Sequence, residues 1–177
     1  MADFSVAFQK VLQHEGGYVN DPNDPGGETY KGIAHNMNSK WEGWAIIDVQ
    51  RKLPDFPKNL DSNVDLQGKV ENFYETNYWD RIKGDDITDS DIASSIFDFA
   101  VNAGVATSSS LVQMIVDIKP DGVVGNDTVE KLNAFDKDYF LAAFTLAKIA
   151  RYISIVKKRP SSQKYFYGWV RRAIGDN

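Results

Sequence analysis

Apolar positions recur at helical spacing along most of the chain, and no segment alternates convincingly over five residues or more. Phe4, Phe8, Val11, Leu12 and Glu15 share one stripe, with Asp3 or Ser5 available as N-cap and Gly16–Gly17 as the stop. Residues 16–34 hold five glycines, two prolines and hardly any apolar side chains, which predicts a loop with at most a short hairpin. Trp41–Leu53 reads as a helix ended by Pro54, and Val64–Trp79 as a longer one carrying Val70, Phe73, Tyr74 and Tyr78. Thr88 followed by Asp91 resembles a capping box opening a helix through Ile92, Ile96, Phe97, Ala100 and Val101 that stops near Gly104. Further helices are expected over Ser109–Ile118, up to Phe135 with Asp127 as its cap, over Asp136–Lys157 and over Ser162–Ile174. The predicted class is mainly α, with a small hairpin at most.

Length and composition narrow this picture. A chain of 177 residues suffices for one domain, or one domain with two lobes, around a real core. Its 42% apolar and 25% charged content is that of a soluble globular protein. No apolar run approaches the roughly 20 residues that span a bilayer. The first residues lack a basic region and a continuous apolar stretch, so no Sec-type signal peptide is expected. Without cysteine there is no disulfide framework and no thiolate chemistry.

The net charge of −5 is uneven: residues 1–100 carry 18 acids against 9 bases, and 145–177 carry 8 bases against one acid. A solvated helix face explains the basic tail most simply, and a patch meeting an anionic polymer such as a cell wall is the alternative. The overall acidity and the absence of a recognisable motif set nucleic acid aside as a partner. The clearest seam is Lys83–Asp86, between an acidic half and a helical half.

Glu15 lies eleven positions after Phe4, which at 100° per residue returns it to within about 20° of the same stripe. Partial desolvation and the negative end of the helix dipole both favour its protonated form. A carboxyl protonated near neutral pH suits a general acid that donates to a leaving glycosidic oxygen. Alone, such a residue would more simply rim the stripe and pair with Lys10 or Lys31. The neighbouring loop changes that balance, because it brings Asp21, Asp24, Glu28 and Thr29, and glycosidases work with paired carboxylates.

Asp24 is the favoured second acid and Asp21 its reserve, although both sit in contexts that also favour plain turns. Glu28 is placed to reach the same cleft. A calcium loop opening at Asp21, Asn23 and Gly26 fails, since its twelfth position is Gly32. With two histidines and no cysteine, no zinc site is expected, and His35 reads as a loop- or cleft-structuring residue. No metal or organic cofactor is called for.

GluGlyGlyTyr at 15–18, AspPro at 21–22, GlyGly at 26–27, Thr29, GlyIle at 32–33, AsnTyrTrpAsp at 77–80 and PheAspPheAlaValAsnAlaGly at 97–104 resemble glycoside hydrolase family 108. These are N-acetylmuramidases also labelled secretion-activating proteins. AspGlyValValGlyAsnAspThr at 121–128 and GlyTrpValArgArg at 168–172 are similar to the peptidoglycan-binding module that accompanies the family.

The resemblance implies a lysozyme-like, two-lobed helical fold with a catalytic lobe over 1–95 and a peptidoglycan-binding lobe over 96–177. It also implies Glu15 as the catalytic acid. A more distant likeness is to phage-type lysozymes. Here Glu15 and Asp24 have eight residues between them, but Asp24 and Thr29 have four, one fewer than in those enzymes.

The expected activity is cleavage of the β-1,4 bond between N-acetylmuramic acid and N-acetylglucosamine by a monomer acting on bacterial peptidoglycan. Glu15 protonates the leaving oxygen, Asp24 orients or deprotonates a water, and Thr29 helps to hold that water. Asn102 is placed to hydrogen-bond an N-acetyl group or Glu15, with Asp98 one turn earlier as a cap, a salt-bridge partner or a substrate contact. The loop at 121–125 and the aromatics Tyr152, Tyr165, Phe166, Tyr167 and Trp169 read first as structure and second as sugar contacts.

A lytic transglycosylase and a non-catalytic wall-binding or secretion-regulating module are the alternatives. The expected route to the periplasm and wall, without a Sec signal, is holin-type or other non-Sec release.

Overall fold

The computed structural model describes residues 2–12, 16–21 and 26–175, which form two compact units. One runs from Asp3 to Asp80; the other starts at Arg81 and takes in Ala2, whose N–H donates to Ile87 O (3.1 Å). The units divide at 80/81 in the sequence. Eight α-helices dominate the described residues, and the sheet is small, as expected of a mainly α, lysozyme-like fold.

In the first unit, α1 (Phe4–Leu12) opens with Asp3 accepting from Val6 N at 3.3 Å, the N-cap that the sequence offered. Phe4, Ala7, Phe8 and Val11 are buried along one face, so the stripe is real over the described turns. Three two-residue strands follow: β1 (Tyr18–Val19), β2 (Thr29–Tyr30) and β3 (Ile33–Ala34), antiparallel in that order. Thr29 pairs with Val19 on one side and Ala34 on the other.

Lys31 and Gly32 join β2 to β3 with positive φ at both positions (44° and 77°), the two-residue turn that suits the strands' right-handed twist. Glycine takes this conformation freely. Lys31 is held there by its neighbours: its Nζ donates to Gln67 Oε1 (2.5 Å) and its carbonyl accepts from Tyr74 OH (2.8 Å).

The unit closes with α2 (Gly43–Gln50), α3 (Val64–Tyr74) and a π-helical turn over Glu75–Trp79. Together α3 and that turn fill the predicted Val64–Trp79 segment. Asn63 caps α3 by accepting from Leu66 N (2.9 Å). The π turn lets both Tyr74 and Trp79 face α1, with Phe8–Tyr74 ring centroids at 5.5 Å and Phe4–Trp79 at 5.6 Å.

The second unit contains α4 (Ser90–Ala103), α5 (Val105–Ile115), α6 (Asn126–Asn133), α7 (Lys137–Lys158) and α8 (Gln163–Ile174). Three expectations need correction. Asp89, not Thr88, caps α4, accepting from Asp91 N (2.9 Å) and Ile92 N (3.0 Å), while Thr88 bonds Asn133. The next helix starts at Val105 rather than Ser109, because Gly104 at φ 90° and ψ 145° turns the chain within one residue. Gly125, without a side-chain bond, stands at the N-cap of α6, and Asp127 lies inside its first turn.

Asp136, expected as the first helical residue, caps α7 instead, accepting from Tyr139 N (2.8 Å). At 22 residues α7 is long and apolar enough to cross a membrane by length and composition, although no such run was anticipated. Its polar residues are interspersed, and its Phe140, Phe144, Lys148 and Tyr152 face is buried within the unit.

Candidate functional site

Glu15 and Asp24, the two carboxylates assigned to the chemistry, lie outside the described residues. The other candidates divide between the two units. Asp21, Glu28, Thr29 and His35 belong to the first, on or beside the small sheet; Asp98 and Asn102 belong to α4 in the second.

Around the sheet, the short strands hold their polar residues in fixed positions. His35 N donates to Glu28 O at 2.7 Å, which extends the β2–β3 ladder by one rung. The half-buried His35 ring packs against Trp44 at a steep angle (4.7 Å, 67°). Thr29 Oγ1 donates to Gly27 O at 3.3 Å, bracing the turn that leads into β2. Asp21 is exposed just beyond β1.

Glu28 is held by a residue that the sequence did not flag. Arg51, at the C-terminal end of α2, places Nη2 2.5 Å from Glu28 Oε1 and Nη1 2.9 Å from the Tyr18 hydroxyl. Its guanidinium also lies over the Tyr18 and Phe56 rings, at 5.8 and 5.6 Å from their centroids. Burial pushes the Tyr18 phenol above its ordinary value, and the hydrogen bond and charge of Glu28 add to that. Glu28 and Arg51 are 23 positions apart, and no periodicity links them, so only the fold reveals the pair.

In the second unit, Asp98 is a salt-bridge partner, one of the roles foreseen for it. Arg172 on α8 grips it with a fork of two donors, Nη2 (2.7 Å) and Nε (3.1 Å), both directed at Oδ1, while Oδ2 lies 3.4 Å from Nε. Asn102 Nδ2 donates to the Tyr152 hydroxyl at 3.0 Å. The Tyr152 phenol is pushed up to about 12, first by burial and then by the charge of Asp98. Tyr152 stacks on Trp169 (5.3 Å, 28°), which leans on Tyr165 at 5.9 Å.

Lys148 was also missed, although its place on the Phe140–Phe144–Tyr152 stripe was a readable signal. It is only 5% exposed, with Nζ 3.4 Å from Ser95 Oγ, and burial lowers its pKa against the opposing charge of Asp98.

The loop at 121–125 is built around Gln113 of α5. Its Oε1 accepts from Asp121 N and Gly122 N, both at 3.0 Å. Its Nε2 donates to Asp121 Oδ1 (2.8 Å) and Val123 O (3.0 Å). An open hollow of about 430 Å³ lies beside it, lined by Gln113, Asp121, Val123 and the first turn of α6. Among the described residues no cluster of His, Asp and Glu could hold a metal ion.

Comparison with known proteins supplies the class: a glycoside hydrolase followed by a peptidoglycan domain. Residues 8–104 match the glycosyl hydrolase 108 model, and residues 103–174 match a model described as a predicted peptidoglycan domain. The chain belongs to the glycosyl hydrolase 108 family. Its fold resembles that of SagA from Brucella abortus, with a TM-score of 0.72 and 28% identity over 98% of this chain and 90% of that one. No curated protein matches the chain.

Proposed function

We propose that the protein is a peptidoglycan N-acetylmuramidase that cleaves the β-1,4 bond between N-acetylmuramic acid and N-acetylglucosamine, with Glu15 as the general acid. The family match carries this reading: residues 8–104 contain Glu15 in its GluGlyGlyTyr motif. In sequence Glu15 follows the described end of α1 at Leu12 by three positions.

Glu15 gives its proton to the leaving glycosidic oxygen as the bond to the anomeric carbon breaks. Asp24, with Asp21 in reserve, takes a proton from the attacking water and stabilises the oxocarbenium-like transition state, and Thr29 helps position that water. This is an inverting course. The peptidoglycan domain match supports the wall as substrate.

Wall digestion tests the assignment. Glu15→Gln should lower turbidity loss on purified walls by about 10²–10⁴-fold with an unchanged circular dichroism spectrum. A Glu15→Gln protein that clears walls at the wild-type rate sinks the proposal. Asp24→Asn tests the second carboxylate in parallel. Mass spectra of the fragments decide the reaction: hydrolysis adds a water, whereas a lytic transglycosylase leaves an anhydro-sugar lighter by one water.

A further inference from the structure

We propose that Trp41 and the hollow beside it form a stacking subsite for an N-acetylhexosamine ring of the glycan strand, which extends the reading of the chain as a peptidoglycan hydrolase. The indole is fixed before any ligand arrives. Its Nε1–H donates to Lys69 O (3.3 Å), and its ring packs at steep angles against Trp44 (5.2 Å, 87°) and Phe73 (6.2 Å, 66°). Gly43 completes the seat, since a methyl group there would drive into the indole ring. A side chain pinned on four sides loses little freedom on binding, which is how rigid aromatics make good contact surfaces.

The hollow measures about 430 Å³, within the roughly 300–1,000 Å³ usual for small-ligand sites. Met37, Asn38, Ser39, Lys40, Trp41 and Phe73 line it, and Met37 is 78% exposed. This mixture points to a sugar rather than a lipid or an apolar peptide. The negative face of an aromatic ring favours the C–H face of a pyranose, and hydroxyl and acetamido groups need polar partners around the edge. Ser39 and Asn38 supply these, and Asn38 is oriented by Nδ2 donating to Ala34 O at 3.1 Å. Lys40 adds a cation at the rim, suited to the carboxylates of peptidoglycan and of no use to neutral chitin.

Calorimetric titration of the full chain tests the subsite, in a Glu15→Gln background so that the ligand survives. The two probes are an N-acetylglucosamine tetrasaccharide and a peptide-bearing peptidoglycan tetrasaccharide. Trp41→Ala is expected to bind both about tenfold more weakly. Gly43→Ala should weaken binding similarly by displacing the ring, and Trp41→Phe should stay within a few-fold of the parent.

Parent-like affinity in Trp41→Ala, or no binding by the parent, overturns the proposal. So does a change in oligomeric state with Trp41→Ala and none in glycan affinity, which would make a second copy of the chain the occupant. Wall clearing by proteins retaining Glu15 is measured alongside. Cleared walls with undisturbed Trp41→Ala binding overturn the subsite and leave the muramidase reading. Uncleared walls with lost Trp41→Ala binding do the reverse.

Discussion

Gln113→Ala should loosen the loop at 121–125 more than any other single truncation in the second unit. Gln113 is only 2% exposed, and its amide satisfies two backbone donors and two acceptors of that loop. The acceptors are recoverable by water, because Asp121 and Val123 are exposed. The donors are costlier. Gly122 N is buried, and an orphaned buried donor costs about 1–3 kcal/mol. Adding Asp121 N gives an expected loss of about 2–4 kcal/mol.

For a unit of this size that corresponds to a fall of roughly 10–20 °C in its melting temperature, read by calorimetry. Hydrogen exchange should show the Gly122 amide losing protection ahead of the rest of the unit. The pH response changes as well. Asp121 is held below the usual carboxylate range, first by Gln113 and then by Val123 N–H. Its contribution to stability is therefore present above that range and lost as pH falls through the lowered folded value. The variant should show a shallower acid-side decline, because the Val123 N–H bond to Asp121 remains. A loss under about 0.5 kcal/mol, or an unchanged Gly122 amide, refutes the clamp.

Two further outcomes concern the buried charges between α4, α7 and α8. Burial lowers the Lys148 pKa, so the folded state holds this proton less tightly than the unfolded chain, and wild-type stability should rise as pH climbs from that lowered value towards about 10.4. Lys148→Met should abolish this slope and stabilise the protein at pH 7 by about 1 kcal/mol, measured by urea unfolding across pH; lower stability at pH 7 contradicts the account. Arg172→Ala should cost about 2–3 kcal/mol by leaving Asp98 without its fork, and Arg172→Lys about 1 kcal/mol, since the charge survives but the paired geometry does not. Equal losses in the two Arg172 variants would show that the fork contributes nothing.

The sequence made the helices legible where local signals agree with packing. The Val64–Trp79 segment was readable because its apolar spacing matches the face that α3 and the π turn bury. The reading started α5 four residues late, at Ser109 instead of Val105. Ser108 and Ser109 are fully buried, and Ser108 Oγ donates to Ile96 O at 2.9 Å, so small hydroxyls let α5 approach α4 closely. Thr88 failed as a cap because a partner 45 residues away, Asn133, claims it. At the site, the motifs pointed to the chemistry. Arg51 and Gln113 stayed hidden because their contacts are made in space, with no period or turn signature to announce them.

The π-helical turn at Glu75–Trp79 carries a consequence for evolution. Such a turn is geometrically one extra residue spliced into an α-helix. Removing a residue from its exposed side, for example Thr76 or Asn77, would restore ordinary helical pitch with Tyr74 and the tryptophan still turned towards Phe8 and Phe4. Removing one from within α3 would instead swing everything beyond it by about 100° and strand Trp79 on the wrong side. In relatives of this chain, a one-residue gap in the helix before the TyrTrpAsp motif is therefore expected to fall inside this turn.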